Sequence, residues 1–293
     1  MFRRSVSILL FPGILLGALG LTLLGTEIGL ARGVVVFAVV TAAIIAIAVA
    51  ERFIPYRVEW NEPRGDVRTD TIHMLVNQLG VGRLFEAIAL GALVELSLQL
   101  TDAFGRELWP SGWPLPLQLA VVIVVTDLPR YWLHRLSHEV PLLWRFHAIH
   151  HSTERLYWLN AGRFHPLDEL AHTLPVVVPL VLLGAGPEVQ ALYFVHSGVH
   201  GMFQHANIDV RLGPLNWIWP MAELHRWHHA RHLEDAAANF GNNVALWDLV
   251  FGTWRMPAEQ VRHDGVGLAD RELPRHFWGQ VVAPFRWDRQ DAA

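Results

Sequence analysis

The sequence predicts an all-α integral membrane protein: about four transmembrane helices plus a re-entrant or broken hairpin, capped by a cytosolic helical histidine-rich region. Three observations predict it. The 293 residues are 52% hydrophobic and 17% charged, with a mean hydropathy of +0.27, too apolar for an ordinary soluble domain. Apolar runs long enough to cross a bilayer recur in the N-terminal half. The chain also carries 17 histidines and no cysteine, and its densest histidine run follows directly on one of those apolar stretches.

A helix needs about 20 apolar residues to cross the hydrocarbon layer. Residues 7–31 and 33–50 meet that length and together read as a hairpin. The first of them begins like a secretory signal, but its apolar region is too long and no A-x-A site follows, so it is expected to be retained. A third span, 79–100, is interrupted by Arg83, Glu86 and Glu95; Arg83 and Glu86 are three apart and can pair on one helical face. The fourth, 115–133, is apolar until Asp127, and Pro129 is expected to kink it. Residues 173–195 are apolar but punctuated by Pro175, Pro179, Gly184, Gly186 and Pro187, a pattern expected of a hairpin that enters and leaves by one face.

Arg3, Arg4, Arg52, Arg57, Arg64 and Arg68 flank the first hairpin and precede the third span, whereas the opposite connections carry only Arg32 and Arg106. The positive-inside rule then puts the N-terminus in the cytoplasm, and four crossings return the chain there before His134. Trp109 and Trp113 fall at the outer interface. With no internal repeat or long linker, 1–293 reads as one domain: spans up to 133, a histidine region over 134–255, and a tail over 256–293. The net charge of -4 and the lack of a basic run argue against a nucleic-acid partner.

Without cysteine the chain has no disulfide, thiolate zinc site or cysteine-held iron–sulfur cluster, so any metal must rely mainly on nitrogen and oxygen. Positions three and four apart stack on one helical face. His134 and His138 form an H-x3-H pair; His147, His150 and His151 form H-x2-H-H, and His225, His228 and His229 repeat that spacing. Any one group has an ordinary structural explanation, but two identical triples and a pair after a membrane span favour coordination. These eight imidazoles exceed the demand of one tetrahedral zinc and suit two metals with about four to five nitrogens each and positions left open for oxygen.

His165, His172, His196, His200 and His205 either complete the shell or are interfacial residues. Asp127, Tyr131, His134 and His138 follow one helical stripe, so Asp127 either accepts the second ring N–H of a ligand histidine or satisfies another polar neighbour. The same two readings apply to Asp168 and Asn239. Trp132, Trp144, Trp158, Trp217, Trp219 and Trp227 surround the motifs and either wall an apolar channel or anchor the cap at the interface.

Three other classes meet these residues less well. A membrane b-type cytochrome would place one histidine on each of two helices within the bilayer. A zinc protease requires H-E-x-x-H, and His138-Glu139 is followed at the critical position by Leu142. A non-catalytic membrane metal-binding or metal-transport protein would carry polar ligands along its spans, which here are few.

The motifs DLPRYWLHRLSH (127–138), HAIHHS (147–152), FHPLDEL (164–170), LHRWHH (224–229) and NFGNNVALWDLVFGT (239–253) together resemble the fatty acid hydroxylase and sterol desaturase superfamily of membrane oxygenases. The resemblance implies two iron ions held by histidine, with O2 as cosubstrate, hydroxylating or desaturating a lipid carbon of a fatty acyl, sterol or ether lipid chain. It carries over His134, His138, His147, His150, His151, His225, His228 and His229 as ligands, His165 as the histidine-proline position, and His205 as a histidine before the third motif. His200 is a further candidate ligand, and Asp127 and Asn239 are expected to support catalysis around the metals. No histidine-proline-glycine-glycine heme motif is present, so electrons are expected from an external cytochrome b5-like protein, ferredoxin or reductase.

Overall fold

A computed structural model describes residues 2–105, 108–257 and 265–292, with the side chains of all but 2–5, 81–92, 233 and 288–292. Twelve α-helices follow one another among them: α1 (Phe2–Glu27), α2 (Arg32–Phe53), α3 (Val67–Leu75), α4 (Gly82–Phe104), α5 (Leu115–Glu139), α6 (Pro141–His151), α7 (Pro166–Leu182), α8 (Pro187–His205), α9 (Ala222–His228), α10 (Leu233–Ala236), α11 (Leu246–Phe251) and α12 (Phe277–Val282). The described residues form no sheet, only isolated bridges between Pro55 and Ile208 and between Ala230 and Val266. The expected Arg83–Glu86 pair, and Arg3, Arg4 and Arg106, lie outside the described side chains.

Two of these helices, α1 and α2, are long and apolar enough to cross a membrane by length and composition. They pack on each other and on α8 through Phe11, Leu15, Ile47, Val195, Val199 and Phe203. Their other faces leave Leu9, Leu16, Leu24, Phe37, Ile45 and Phe53 exposed, far more apolar surface than a soluble helix presents. A second core joins α5, α7 and α8 through Val122, Ile123, Val176, Leu180 and Tyr193. These layers set α5 and α8 side by side beneath the cap, and both carry histidines at their C-terminal ends.

The structure corrects two expected boundaries. The helix expected to start at residue 79 is preceded by α3 and a π-helical turn over Val76–Val81. The polar residues Thr69, Asp70, His73 and Asn77 recur at helical spacing and are buried against the cap instead of forming a loop. Asn77 Nδ2, for example, donates to the carbonyls of Gly162 and Phe164 at 3.1 and 2.9 Å. In the segment 173–195, Pro175 and Pro179 are accommodated inside α7, and the break comes at residues 183–186. There Gly184 takes φ 74° and donates to Val181 O, while Ala185 N–H reaches back to Leu180 O; this left-handed closure caps the free carbonyls of α7. The arms then diverge, α7 against α4 and α5, and α8 against α1 and α2. Similarly, α5 continues through Pro129 to Glu139.

The cap is tied to α3 by two ion pairs, one half-buried and one buried. Arg155 donates to both oxygens of Asp66, at 2.6 and 2.8 Å, and to the Trp60 carbonyl. One turn further along, Asp70 receives Arg163 Nε and the Tyr157 hydroxyl. Asp70 and Arg163 are 0% and 7% exposed in their side chains, so removing one partner strands a buried charge. We expect Asp70→Ala to destabilise the folded protein by about 3–5 kcal/mol, measured as a loss of thermal stability in detergent; an unchanged midpoint would contradict the assignment.

Candidate metal centre

Each H-x2-H-H triple lies at the end of a short helix. His147, His150 and His151 close α6, and His225 and His228 close α9 with His229 at its cap. On a helix, positions i+3 and i+4 fall on opposite sides of i, about 100° apart. Two such helices facing each other can therefore divide their histidines between two points. That division is observed: ring nitrogens of His134, His138, His147, His151 and His228 lie within 4.8 Å of one another, and so do those of His150, His205, His225 and His229. The first and last histidines of each triple enter one group and the middle one crosses to the other. Residues His134 and His138 on α5 make the first group five, and His205 at the end of α8 makes the second four.

Outward hydrogen bonds aim these rings. His134 Nδ1 donates to Phe240 O at 2.8 Å, His228 Nδ1 to Ala238 O at 2.9 Å and His150 Nδ1 to Arg163 O at 3.2 Å. His147 Nδ1 meets Asp168 Oδ2 at 2.9 Å, and His205 Nδ1 meets Asn160 Oδ1 at 2.9 Å. Asn160 spends its NH2 on the Arg155 carbonyl at 2.6 Å, so its oxygen faces His205 and that ring carries its proton on Nδ1. With Nδ1 protonated, Nε2 turns a lone pair inward. Nε2 of His134, His138, His147, His151 and His228 are all buried and lack a hydrogen-bond partner. In the second group His225 Nε2 stands 3.0 Å from Nε2 of both His205 and His229. The rings of His151 and His229 stack at 4.3 Å and bring the two groups edge to edge.

Lone pairs converging without a donor between them repel, and a cation at their focus reverses the sign of that interaction. Nine imidazole nitrogens therefore fit metal ions, of the borderline kind that imidazole suits. Burial, reinforced by neighbouring rings, holds His150, His151, His225 and His229 well below the usual histidine range and puts His228 at about 3. At neutral pH they are in the uncharged form that ligates. The indole of Trp144 packs against His138 and His151 at 5.2 and 5.5 Å and shields that side.

Several sequence-stated residues take other positions. His165 is outside both groups: its Nδ1 accepts the Leu167 amide at 3.0 Å and its Nε2 donates to Val281 O at 3.1 Å, so it caps α7. His200 is buried but also outside them, stacked on His196 at 5.8 Å. Asp127 accepts the amides of Asn243 and Val244 at 2.8 and 3.3 Å, not an imidazole. Asn239, at φ 59°, donates to Leu224 O and Arg255 O and accepts from the Arg255 amide, all backbone partners. It fixes the turn whose flanking carbonyls, Ala238 and Phe240, orient His228 and His134.

That turn has a support the sequence did not disclose. Asp248 accepts the amides of Phe240 and Gly241, both at 2.8 Å, and a Cβ at Gly241 would stand 2.6 Å from Asp248 Oδ2 and 2.5 Å from Val244 O. Only glycine permits the approach. Asp168 and His172, which share a third group with His147, lie on the same face of α7 one turn apart.

An all-helical protein with a buried polyhistidine centre able to take two metals is the class that this fold and site define. The chain belongs to the fatty acid hydroxylase family: the model of that family matches residues 119–253, which contain all nine grouped histidines. It is 35% identical over 249 residues to an ornithine lipid hydroxylase of Rhizobium tropici, covering 84% of this chain and 73% of that one. Alkylglycerol monooxygenases of Danio rerio and Homo sapiens are 30% and 29% identical over 77% and 61% of this chain, which spans 51% and 43% of theirs. No solved structure matches.

Proposed function

We propose that this chain is a membrane-bound, O2-dependent oxygenase that holds two iron ions and hydroxylates or desaturates a carbon of a lipid. The observation that carries it is the division of nine inward-facing imidazoles into groups of five and four, in a family of iron-dependent oxygenases whose relatives named above are lipid hydroxylases and monooxygenases. His134, His138, His147, His151 and His228 would hold one iron; His150, His205, His225 and His229 would hold the other. Bound there, iron would supply what no side chain can, activation of O2 toward an unactivated C–H bond. For hydroxylation, the C–H carbon, O2, two electrons and two protons give the C–OH carbon and one water.

The protein's own part is positional. The carbonyls of Ala238, Phe240 and Arg163, with Asp168 and Asn160, hold the Nδ1 protons of His228, His134, His150, His147 and His205 outward, so that the opposite nitrogens of these five rings would face the metals. The exposed apolar faces of α1 and α2 sit in the bilayer, α4 and α5 complete four crossings, and α7 and α8 enter and leave by the cap side. The N-terminus and the histidine groups then face the cytoplasm, where Arg52, Arg57, Arg64 and Arg68 lie. Lipid reaches the centre from the bilayer, and an external donor protein delivers electrons from the cytosol.

The test is metal analysis of protein purified anaerobically in detergent, then turnover with Fe(II), a reductase, 18O2 and a membrane lipid extract. We expect two irons per chain and a labelled lipid heavier by one oxygen for hydroxylation, or lighter by about 2 mass units for desaturation. A single heme, a single zinc or no stoichiometric metal would sink the proposal. Two metals with no lipid oxidised under any reductant would favour a metal-binding or transport protein instead.

A further inference from the structure

The last turn of α2 buries a carboxylate that the proposed chemistry does not use. Glu51 is 4% exposed, and its Oε1 accepts two main-chain amides, from Trp158 at 2.7 Å and from Asn207 at 2.9 Å. A buried carboxylate is costly unless hydrogen bonds satisfy it, and here both donors lead to one place in the molecule. Asn207 stands two residues after His205, which alone in the four-histidine group comes from α8; His150 stands on α6, and His225 and His229 on α9 and its cap. Trp158 stands two residues before Asn160, whose side-chain oxygen takes the His205 Nδ1 proton at 2.9 Å. One carboxylate oxygen therefore grips the backbone beside both partners of that hydrogen bond.

The neighbouring side chains leave these segments little freedom. Asn207, 0% exposed, accepts the Arg57 amide at 3.0 Å and donates to the Arg57 carbonyl at 2.8 Å and to Asn61 Oδ1 at 3.0 Å. Asn61 Nδ2 in turn donates to the Glu51 carbonyl at 2.9 Å, which closes a ring from Glu51 through Asn207 and Asn61 back to Glu51. On the other side Asn160 Oδ1 also accepts the Tyr157 amide at 3.2 Å, so the direction in which it meets His205 is set by backbone. A ligand ring must be held within about 0.5 Å of its working position. The Glu51 grip supplies that precision where α8 ends and the turn over Trp158–Gly162 begins.

Taking the second metal from the oxygenase reading, we propose that Glu51 is a positioning residue for it. By holding the amides of Trp158 and Asn207 on one oxygen, Glu51 keeps His205 and its Asn160 acceptor in register and fastens that ligand to the apolar helix α2. It touches neither metal nor substrate. Its reach does the positioning, and its charge is incidental to it, so substitutions that separate reach from charge should have opposite outcomes.

The test is competition with a ferrous chelator on the full-length iron-loaded protein in detergent, without oxygen. His205→Ala, which removes the ligand itself, identifies the release step that belongs to the second metal. Glu51→Asp keeps the charge and shortens the reach by one methylene, whereas Glu51→Gln loses the charge and keeps an oxygen at the same distance. We expect Glu51→Asp to weaken the second metal about tenfold or more with the first unmoved, and Glu51→Gln to match the parent protein. Placed on His205→Ala, Glu51→Asp should weaken the second group no further, because a residue that acts through His205 has nothing left to act on. The opposite order, a weak Gln variant and an intact Asp variant, would mean that the charge matters and overturn the assignment. Equal weakening of both metals, as a purely structural anchor gives, or an undiminished loss on His205→Ala would overturn it too. The two readings fail separately, because the readout is metal affinity. Selective weakening in a protein that oxidises no lipid leaves this assignment and removes the oxygenase, whereas lipid oxidation with the second metal unmoved by Glu51→Asp does the reverse.

Discussion

Exchanging His228 for alanine is expected to take the metal content down by at least one per chain and turnover down more than about 100-fold, beyond the 10–100-fold typical of residues that merely support a ligand. His228 is the histidine of the third motif that crosses into the five-membered group, where its ring lies 4.5 Å from His134, 4.7 Å from His138 and 4.8 Å from His151. Its loss removes a nitrogen from the middle of that group and opens a cavity next to His151, whose ring also stacks on His229 of the other group. His150→Ala is the reciprocal case, since His150 crosses from the second motif into the four-membered group. The control is His165→Ala. Its ring is occupied by backbone at both nitrogens, so the exchange should cost some stability at the start of α7 and leave metal content intact. Inductively coupled plasma mass spectrometry on the three variants decides the matter: equal metal in all three would mean that grouping by proximity says nothing about coordination.

His228 also shows where sequence reading stops. Spacing of three and four residues showed that each triple faces one side of a helix, because that follows from 3.6 residues per turn alone. It did not show that the middle member of each triple serves the other helix's partners, because this depends on how α6 and α9 face each other across the cap. The outer partners were still less accessible. Ala238, Phe240 and Arg163 orient histidines through their carbonyls, which every residue possesses, so no side-chain pattern marks them. Asp127 lies on the histidine stripe of α5 as expected, yet its partners are amides of Asn243 and Val244, more than a hundred residues away in the chain. His165 was grouped with the ligands through the proline that follows it, and that proline instead starts α7 and leaves the imidazole as its cap. In the fold, the apolar length of α1 and α2 was plain, whereas α3 was hidden because its buried face is polar and its partners, the arginines of the cap and the carbonyls of Gly162 and Phe164, lie far away in the chain.

Asp168→Asn should weaken metal binding to the five-histidine group by about 10–100-fold while leaving the fold in place. Asp168 is the only carboxylate in the described residues that shares a ligand group with a ring of the main centre. Burial would push its carboxyl up, but His147 and His172 facing it outweigh that and hold it below its ordinary value, so it is ionised at neutral pH. Ionised, it pulls on the His147 Nδ1 proton across 2.9 Å and makes the opposite nitrogen a stronger donor. The amide has nearly the same shape and keeps an oxygen for that proton, so orientation survives and the charge alone is lost. Chelator competition on the purified variant therefore separates the two effects, because a purely orienting carboxylate predicts unchanged affinity. The second group, in which the Asn160 side chain sets His205 and the Arg163 carbonyl sets His150, should release its metal at the original chelator concentration. Equal weakening of both metals would show instead that the exchange loosens the whole cap, and no weakening of either would show that His147 needs no charge behind it.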